Sequence, residues 1–83
     1  MEHKEIEQAV NLLSGLKGET AVPKNVRIKI DDALRILQGD EEVTTKANKV
    51  LSELEEIADD VNLDPYNRTQ IWDIISGLEK IKQ

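Results

Sequence analysis

Residues 21–37 read AVPKNVRIKIDDALRIL and residues 62–78 read NLDPYNRTQIWDIISGL, and the second is a variation on the first. At a shift of 41 residues Arg27 falls on Arg68, Ile30 on Ile71, Asp32 on Asp73, Leu34 on Ile75 and Leu37 on Leu78. Each stretch opens with a proline close to a helix start and then places apolar residues at three- and four-residue steps, the period of a helix with one buried face. The segments preceding them keep the same offset, so the chain reads as two similar helical hairpins in tandem.

Upstream of the first phrase, Ile6, Val10, Leu13 and Leu16 or Lys17 predict a helix from about Glu2 to Leu16, ended by Gly15 and Gly18. Pro23 suits the first position of the second helix, whose core face is Val26, Ile30, Ala33, Leu34 and Leu37. Gly39 is expected to supply a left-handed residue after its last turn, and Asp40 to cap the third helix. Glu41 and Glu42 then sit against the positive end of that helix dipole, and so short a connection makes the neighbours antiparallel. The third seam runs Val43, Ala47, Val50, Leu54, Ile57 and Val61, widened by Leu51 and Ala58. About 20 residues is short for a coiled coil, which favours packing inside a bundle. Asp64 and Pro65 open the fourth helix, which offers Ile71, Ile74, Ile75, Leu78 and Ile81 to the core.

The predicted fold is therefore all-α: one domain over residues 1–83, an up-down-up-down four-helix bundle built from the two hairpins. The alternative is a pair of stacked HEAT-like hairpins, because the offset falls in the range of about 40–47 residues for such repeats. Two repeats without polar caps make a poor solenoid, which favours the closed bundle.

Composition narrows the function classes. Seventeen acidic against eleven basic residues give a formal charge of −6, which opposes binding to phosphate backbones and makes nucleic acid a disfavoured partner. The absence of cysteine fits a reducing, cytoplasmic setting. No stretch approaches the roughly 18 apolar residues of a membrane span, so no membrane is expected.

Candidate chemistry is sparse. Asp60, Asn62 and Asp64 alternate like the start of a calcium loop, but Pro65 stands where such a loop needs glycine and Ile71 where it needs a bidentate glutamate. They read instead as a helix end and the next cap. The stretch GLKGET follows a helix and lacks the ending of a phosphate loop. His3 is the only histidine, so carboxylate-histidine metal motifs and nucleophile-histidine pairs have nothing to build on. Glu53, Glu55, Glu56, Asp59 and Asp60 read as a solvated face of the third helix, where acid-base pairs do not form. Catalytic, cofactor-binding and metal residues are all expected to be absent.

Apolar residues out of phase with the core are more telling. Ile28 lies nearly opposite the inward face of its helix, Ile36 lies on the flank, and Trp72 lies off the Ile71, Ile75 and Leu78 stripe. Ile28, Ile36, Tyr66 and Trp72 are the candidate contact surface. The bland alternative is that these are scattered exposed apolar residues, with Trp72 stacked on Arg68. Arg27 is expected to pair with Asp31, and the recurrence of Arg27 and Arg68 to be structural. The sequence thus points to a non-enzymatic interaction or assembly module whose partner is another protein or a second copy, as in a homodimer. A small-ligand or enzymatic bundle is the second reading. A nucleic-acid-associated role through Lys24, Arg27, Lys29 and Arg35 is the third.

The combination of VPKNVRIKIDDALRIL, KANKVLSELEEIADDVNLDP and NRTQIWDIISGLE resembles a family of small archaeal proteins catalogued as uncharacterised protein family 0147, over about Ala9 to Lys82. The resemblance rests on the twin starts at Val22–Pro23 and Asp64–Pro65, each followed by an arginine, and on Ile71–Trp72. It implies an archaeal cytoplasmic four-helix bundle, and it implies no activity, cofactor or catalytic residue.

Overall fold

Four helices, α1 (Lys4–Lys17), α2 (Lys24–Leu37), α3 (Val43–Ala58) and α4 (Pro65–Glu79), make up the computed structural model, which describes residues 3–81. The expected start of α1 at Glu2 lies outside the described residues. No strand occurs among them.

Each helix packs on its neighbours in the ring α1–α2–α3–α4–α1, while the diagonal pairs make at most marginal contact. Stacked HEAT-like hairpins would instead pack α1 on α3 and α2 on α4, so the ring settles the architecture as a closed four-helix bundle. Cross-links fix the directions. Lys17 Nζ meets Asp31 Oδ1 at 2.6 Å between the end of α1 and the middle of α2. Asn25 Nδ2 donates to Asp60 Oδ2 at 2.8 Å, tying the start of α2 to the end of α3. Neighbouring helices therefore run antiparallel, in a body of 35 × 20 × 17 Å.

The inward stripes meet in one aliphatic core that includes Leu13, Val26, Ile30, Leu37, Val50, Leu54, Ile57, Ile71 and Leu78. Burying such a side chain contributes about 1.5–3 kcal/mol, enough for a small domain when nearly every turn supplies one. Ala33 and Ala47 are fully buried as well, and their small size lets the helix axes approach.

Several local expectations are corrected. Gly15 lies inside α1, which Gly18 closes, and Ala9 is buried where Val10 is half-buried. Pro23 is the residue before α2 rather than its first, with extended ψ of 153°. No described glycine has positive φ, so Gly39 supplies no left-handed turn. Asp40 does not cap α3. Glu42 stands at that position without a side-chain hydrogen bond, and the connection runs over residues 38–42. In α2, Leu34 is half-buried rather than central to the core.

The third seam also stops short. After Ala58 the chain leaves the helix, and Val61, predicted to continue the stripe, is 90% exposed while Leu63 is buried. The physical reason is the turn itself, in which Asp60 Oδ1 accepts the Asn62 N–H and Asp64 accepts the N–H of Asn67 as the α4 cap. Those groups compete with further helical pairing.

Candidate interaction surface at the turn end

The α1–α2 and α3–α4 turns lie together at one end of the bundle, and the two matched arginines hold them. Arg27 Nη2 donates to the carbonyls of Glu19 and Val22 at 3.0 and 3.1 Å. Arg68 Nη2 donates to the carbonyls of Asp60 and Leu63, both at 2.8 Å. Glu19 and Val22 stand 41 residues before Asp60 and Leu63, so the two guanidinium groups perform the same task at the same register. Arg68 adds a third bond, from Nε to the Ala58 carbonyl at 3.0 Å, whereas Arg27 Nε is buried without a partner. The expected Arg27–Asp31 pair is not formed, because Asp31 bonds Lys17 instead.

With the turn carbonyls satisfied from inside, the outside of this end is free to be apolar. Among the described residues five large hydrophobic side chains are exposed: Leu12 at 40%, Ile28 at 60%, Val61 at 90%, Tyr66 at 68% and Trp72 at 49%. At about 1.5 Å per helical residue, Leu12, Ile28 and Tyr66 lie within about 8 Å of the turn end, Val61 is in the turn, and Trp72 stands at the middle of α4. Of the predicted contact residues, Ile28 and Tyr66 are thus exposed in this half and Trp72 is exposed at the middle of α4, while Ile36 packs half-buried against the core. They do not form one side patch, because α2 and α4 are diagonal in the ring. What unites Ile28 and Tyr66 is the end of the bundle. Leu12 and Val61 were not singled out from sequence. Leu12 is adjacent in phase to the buried Ala9 and Leu16, and Val61 was hidden by the assumption that its helix continued.

A cleft of about 200 Å³ opens between α1 and α4 at this end, with Leu12, Leu16, Glu19, Tyr66, Asn67 and Gln70 among its walls. Asn67 is 1% exposed, the one buried polar residue among the described residues. A larger and more enclosed cleft of about 600 Å³ lies at the opposite end, between apolar residues such as Ile6, Leu37 and Val43 and polar ones such as His3, Glu7 and Lys46. Its chemistry is modest. Lys46 Nζ is already engaged with the Leu37 carbonyl at 3.2 Å, and His3 Nδ1 meets Glu5 Oε1 at 2.8 Å.

The acidic face of α3 is not uniformly solvated, contrary to expectation. Glu55, Glu56 and Asp59 are exposed, but Glu53 is half-buried and its Oε1 is sealed without a partner. Burial, followed by the Asp32 carboxyl across the α2–α3 seam and the charge of Glu56, pushes the Glu53 carboxyl up to about 7, with Lys29 pulling it back. Neither of the two clefts contains this pair. Asp60 shifts the other way, its carboxyl lowered by the Asn25 amide and the Asn62 N–H.

Of the basic residues expected to form a patch on α2, Lys24 is exposed and the other three are engaged. Arg27 is spent on the turn, Lys29 Nζ meets Glu56 at 3.3 Å and Arg35 meets Asp32 at 2.8 Å. Among the described residues no group of three or more acidic, histidine or cysteine side chains is placed to hold a metal ion, and no helix is long and apolar enough to cross a membrane.

These features define a small acidic four-helix bundle with its turns pinned by arginine contacts, most of them part-buried, and an apolar rim at the pinned end. The chain belongs to the uncharacterised protein family UPF0147, whose sequence profile matches residues 1–81. It is 36% identical over 78 residues to a member from Sulfurisphaera tokodaii, covering 93% of this chain and 88% of that one. A member from Methanothermobacter thermautotrophicus is 32% identical over the whole of this chain and 82% of its own, and one from Pyrococcus furiosus is 40% identical over 77% of this chain and 70% of its own. The crystal structure of a protein described as "unknown function protein MMP1188" superposes with a TM-score of 0.88 at 31% identity, covering 95% of this chain and 91% of that one. The resemblance read from the sequence is thereby established, and with it an archaeal family to which no role is assigned.

Proposed function

We propose that the protein is a non-enzymatic, cytoplasmic interaction module that docks another protein on the turn end of the bundle. The observation that carries this reading is that four of the five large hydrophobic residues exposed among the described residues, Leu12, Ile28, Val61 and Tyr66, lie in the half that bears the two pinned turns, with Trp72 at the middle of α4. Scattered surface apolar residues need no explanation, but their segregation to one end of an otherwise charged surface does. Two copies of one hairpin supply that end symmetrically, each contributing a turn held by its own arginine. The partner is taken to be a foreign protein, and an end-to-end homodimer is the alternative that the mass in solution separates from it.

The test is affinity capture from the native host with three baits: wild type, a turn-end variant (Ile28→Glu, Val61→Glu, Tyr66→Glu) and a far-end variant (Glu41→Lys, Glu42→Lys). Proteins held by wild type and by the far-end variant, and lost with the turn-end variant, are the expected result. A bound set that survives all three baits, or that depends on the far end, contradicts it. Light scattering of wild type checks the partner type, with a monomer expected at micromolar concentration.

A further inference from the structure

Three buried side-chain polar atoms lack a hydrogen-bond partner among the described residues: Arg27 Nε, Glu53 Oε1 and Asn67 Oδ1. Of these residues only Asn67 also forms the wall of a cleft. Its Nδ2 donates to Asp64 Oδ1 at 2.5 Å, which fixes the orientation of the amide and leaves Oδ1 an acceptor with nothing to accept. Such an atom is costly in a folded chain. The position does not demand it. At the shift of 41 residues Asn67 falls on Val26, which is equally buried, so the hairpin accepts an apolar side chain here.

The surroundings say what would satisfy the oxygen. Glu19 is the only charged residue on the cleft walls, and it is acidic. Asn11 and Gln70 add amide carbonyls, and Leu12 and Tyr66 give an exposed apolar and aromatic rim. At about 200 Å³ the cleft is smaller than the roughly 300–1,000 Å³ of small-molecule sites, and suits one long side chain. An arginine matches each feature: a methylene stem to lie along Leu12, a planar cation to stack on Tyr66, and a fork of donors for Asn67 Oδ1 and the Glu19 carboxylate. Lysine offers neither the plane nor the fork.

The geometry points to the α1–α4 cleft as a receptor for an arginine side chain presented by the partner protein. This rests on the turn-end reading of function. Asn67 Oδ1 is sealed in the free chain, so the arginine enters by parting the exposed rim residues.

The experiment is an amide-detected NMR titration of the full chain with N-acetyl-arginine methylamide, beside its lysine counterpart and its uncharged citrulline counterpart. Saturable shifts of the Asn67 side-chain amide and of the backbone amides of Leu12, Leu16 and Gln70 are expected, with a Kd on the order of millimolar for so small a probe. The citrulline and lysine probes should bind about tenfold more weakly, the loss expected when a charge-assisted bond is removed. Asn67→Val, which installs the residue of the other hairpin, should lose about tenfold, and Glu19→Gln, which leaves the core untouched, should lose severalfold. Shifts that are absent, spread over the acidic surface, equal for lysine, or unchanged by both substitutions overturn the proposal. If capture still depends on the turn end while the arginine probe fails, this inference falls alone. If capture is indifferent as well, the functional reading falls with it.

Discussion

At the turn end, Arg27 and Arg68 occupy five backbone carbonyls between them, and α4, though not α2, begins with a side-chain cap. At the opposite end the Leu37 carbonyl is held by Lys46, and both α1 and α3 begin without a side-chain cap. The outer surfaces differ in the opposite sense. The well-tied end exposes Leu12, Ile28, Val61 and Tyr66, while residues 38–42 at the loosely tied end read Gln-Gly-Asp-Glu-Glu and are all exposed. An apolar surface facing water is safe only on a backbone that stays folded, because a fraying end with the same residues would invite aggregation. Internal satisfaction of the turns thus lets this end carry recognition.

The most damaging way to break the contrast is to remove a pin. Arg68→Ala strips three carbonyls of their donor and should cost about 2–4 kcal/mol by urea denaturation. Arg27→Ala should cost about 1–2 kcal/mol, since its Nε already lacks a partner. Lys46→Ala at the other end should cost less than either. Equal losses at the three positions would erase the distinction between the ends.

The seam between α2 and α3 adds a pH dependence that belongs to neither end. The fold raises the Glu53 carboxyl from its ordinary 4.5 to about 7, so between those values the folded chain holds a proton that the unfolded chain releases. The stabilisation is complete below about 4.5 and is lost as pH rises through about 7. One Glu53 oxygen is sealed but the residue is only half-buried, so the loss should be about 1–2 kcal/mol rather than the full value of the shift. Glu53→Gln should flatten the profile of stability between pH 5 and 8, as followed by thermal melts.

The uncapped end can also be strengthened. Glu42→Asp places a shorter carboxylate at the start of α3, within reach of the free amides, and should add about 0.5–1 kcal/mol. Smallest of all, Val61→Glu should leave stability within about 0.5 kcal/mol, because the side chain is 90% exposed. That near-silence makes it the cleanest probe of contact.

Much of this was legible in the sequence, for identifiable reasons. Periodicity found all four helices and most of the core, because each stripe of Ile, Leu, Val and Ala runs three or four turns without interruption. Asp64–Pro65 was correctly read as a cap because its carboxylate acts on amides only a turn away. The turns were less readable. Gly39 and Asp40 have the right chemistry for a stop and a start, but where the chain turns depends on how far α2 and α3 must separate to pack. The arginine contacts escaped for the same reason, since their acceptors are backbone carbonyls shaped by the turn and not by residue type. Glu53 was misplaced on a solvated face although it lies only one position before Leu54, a position from which a neighbouring helix can cover it. The segregation of exposed apolar residues needed the ring order, which no local pattern supplies.

The most direct measurement places a photo-crosslinking residue at position 61 or at position 41 and irradiates each protein in native host extract. Discrete adducts from position 61, with none from position 41, are what the account predicts. Adducts from position 41 alone, or the same adducts from both, would contradict it.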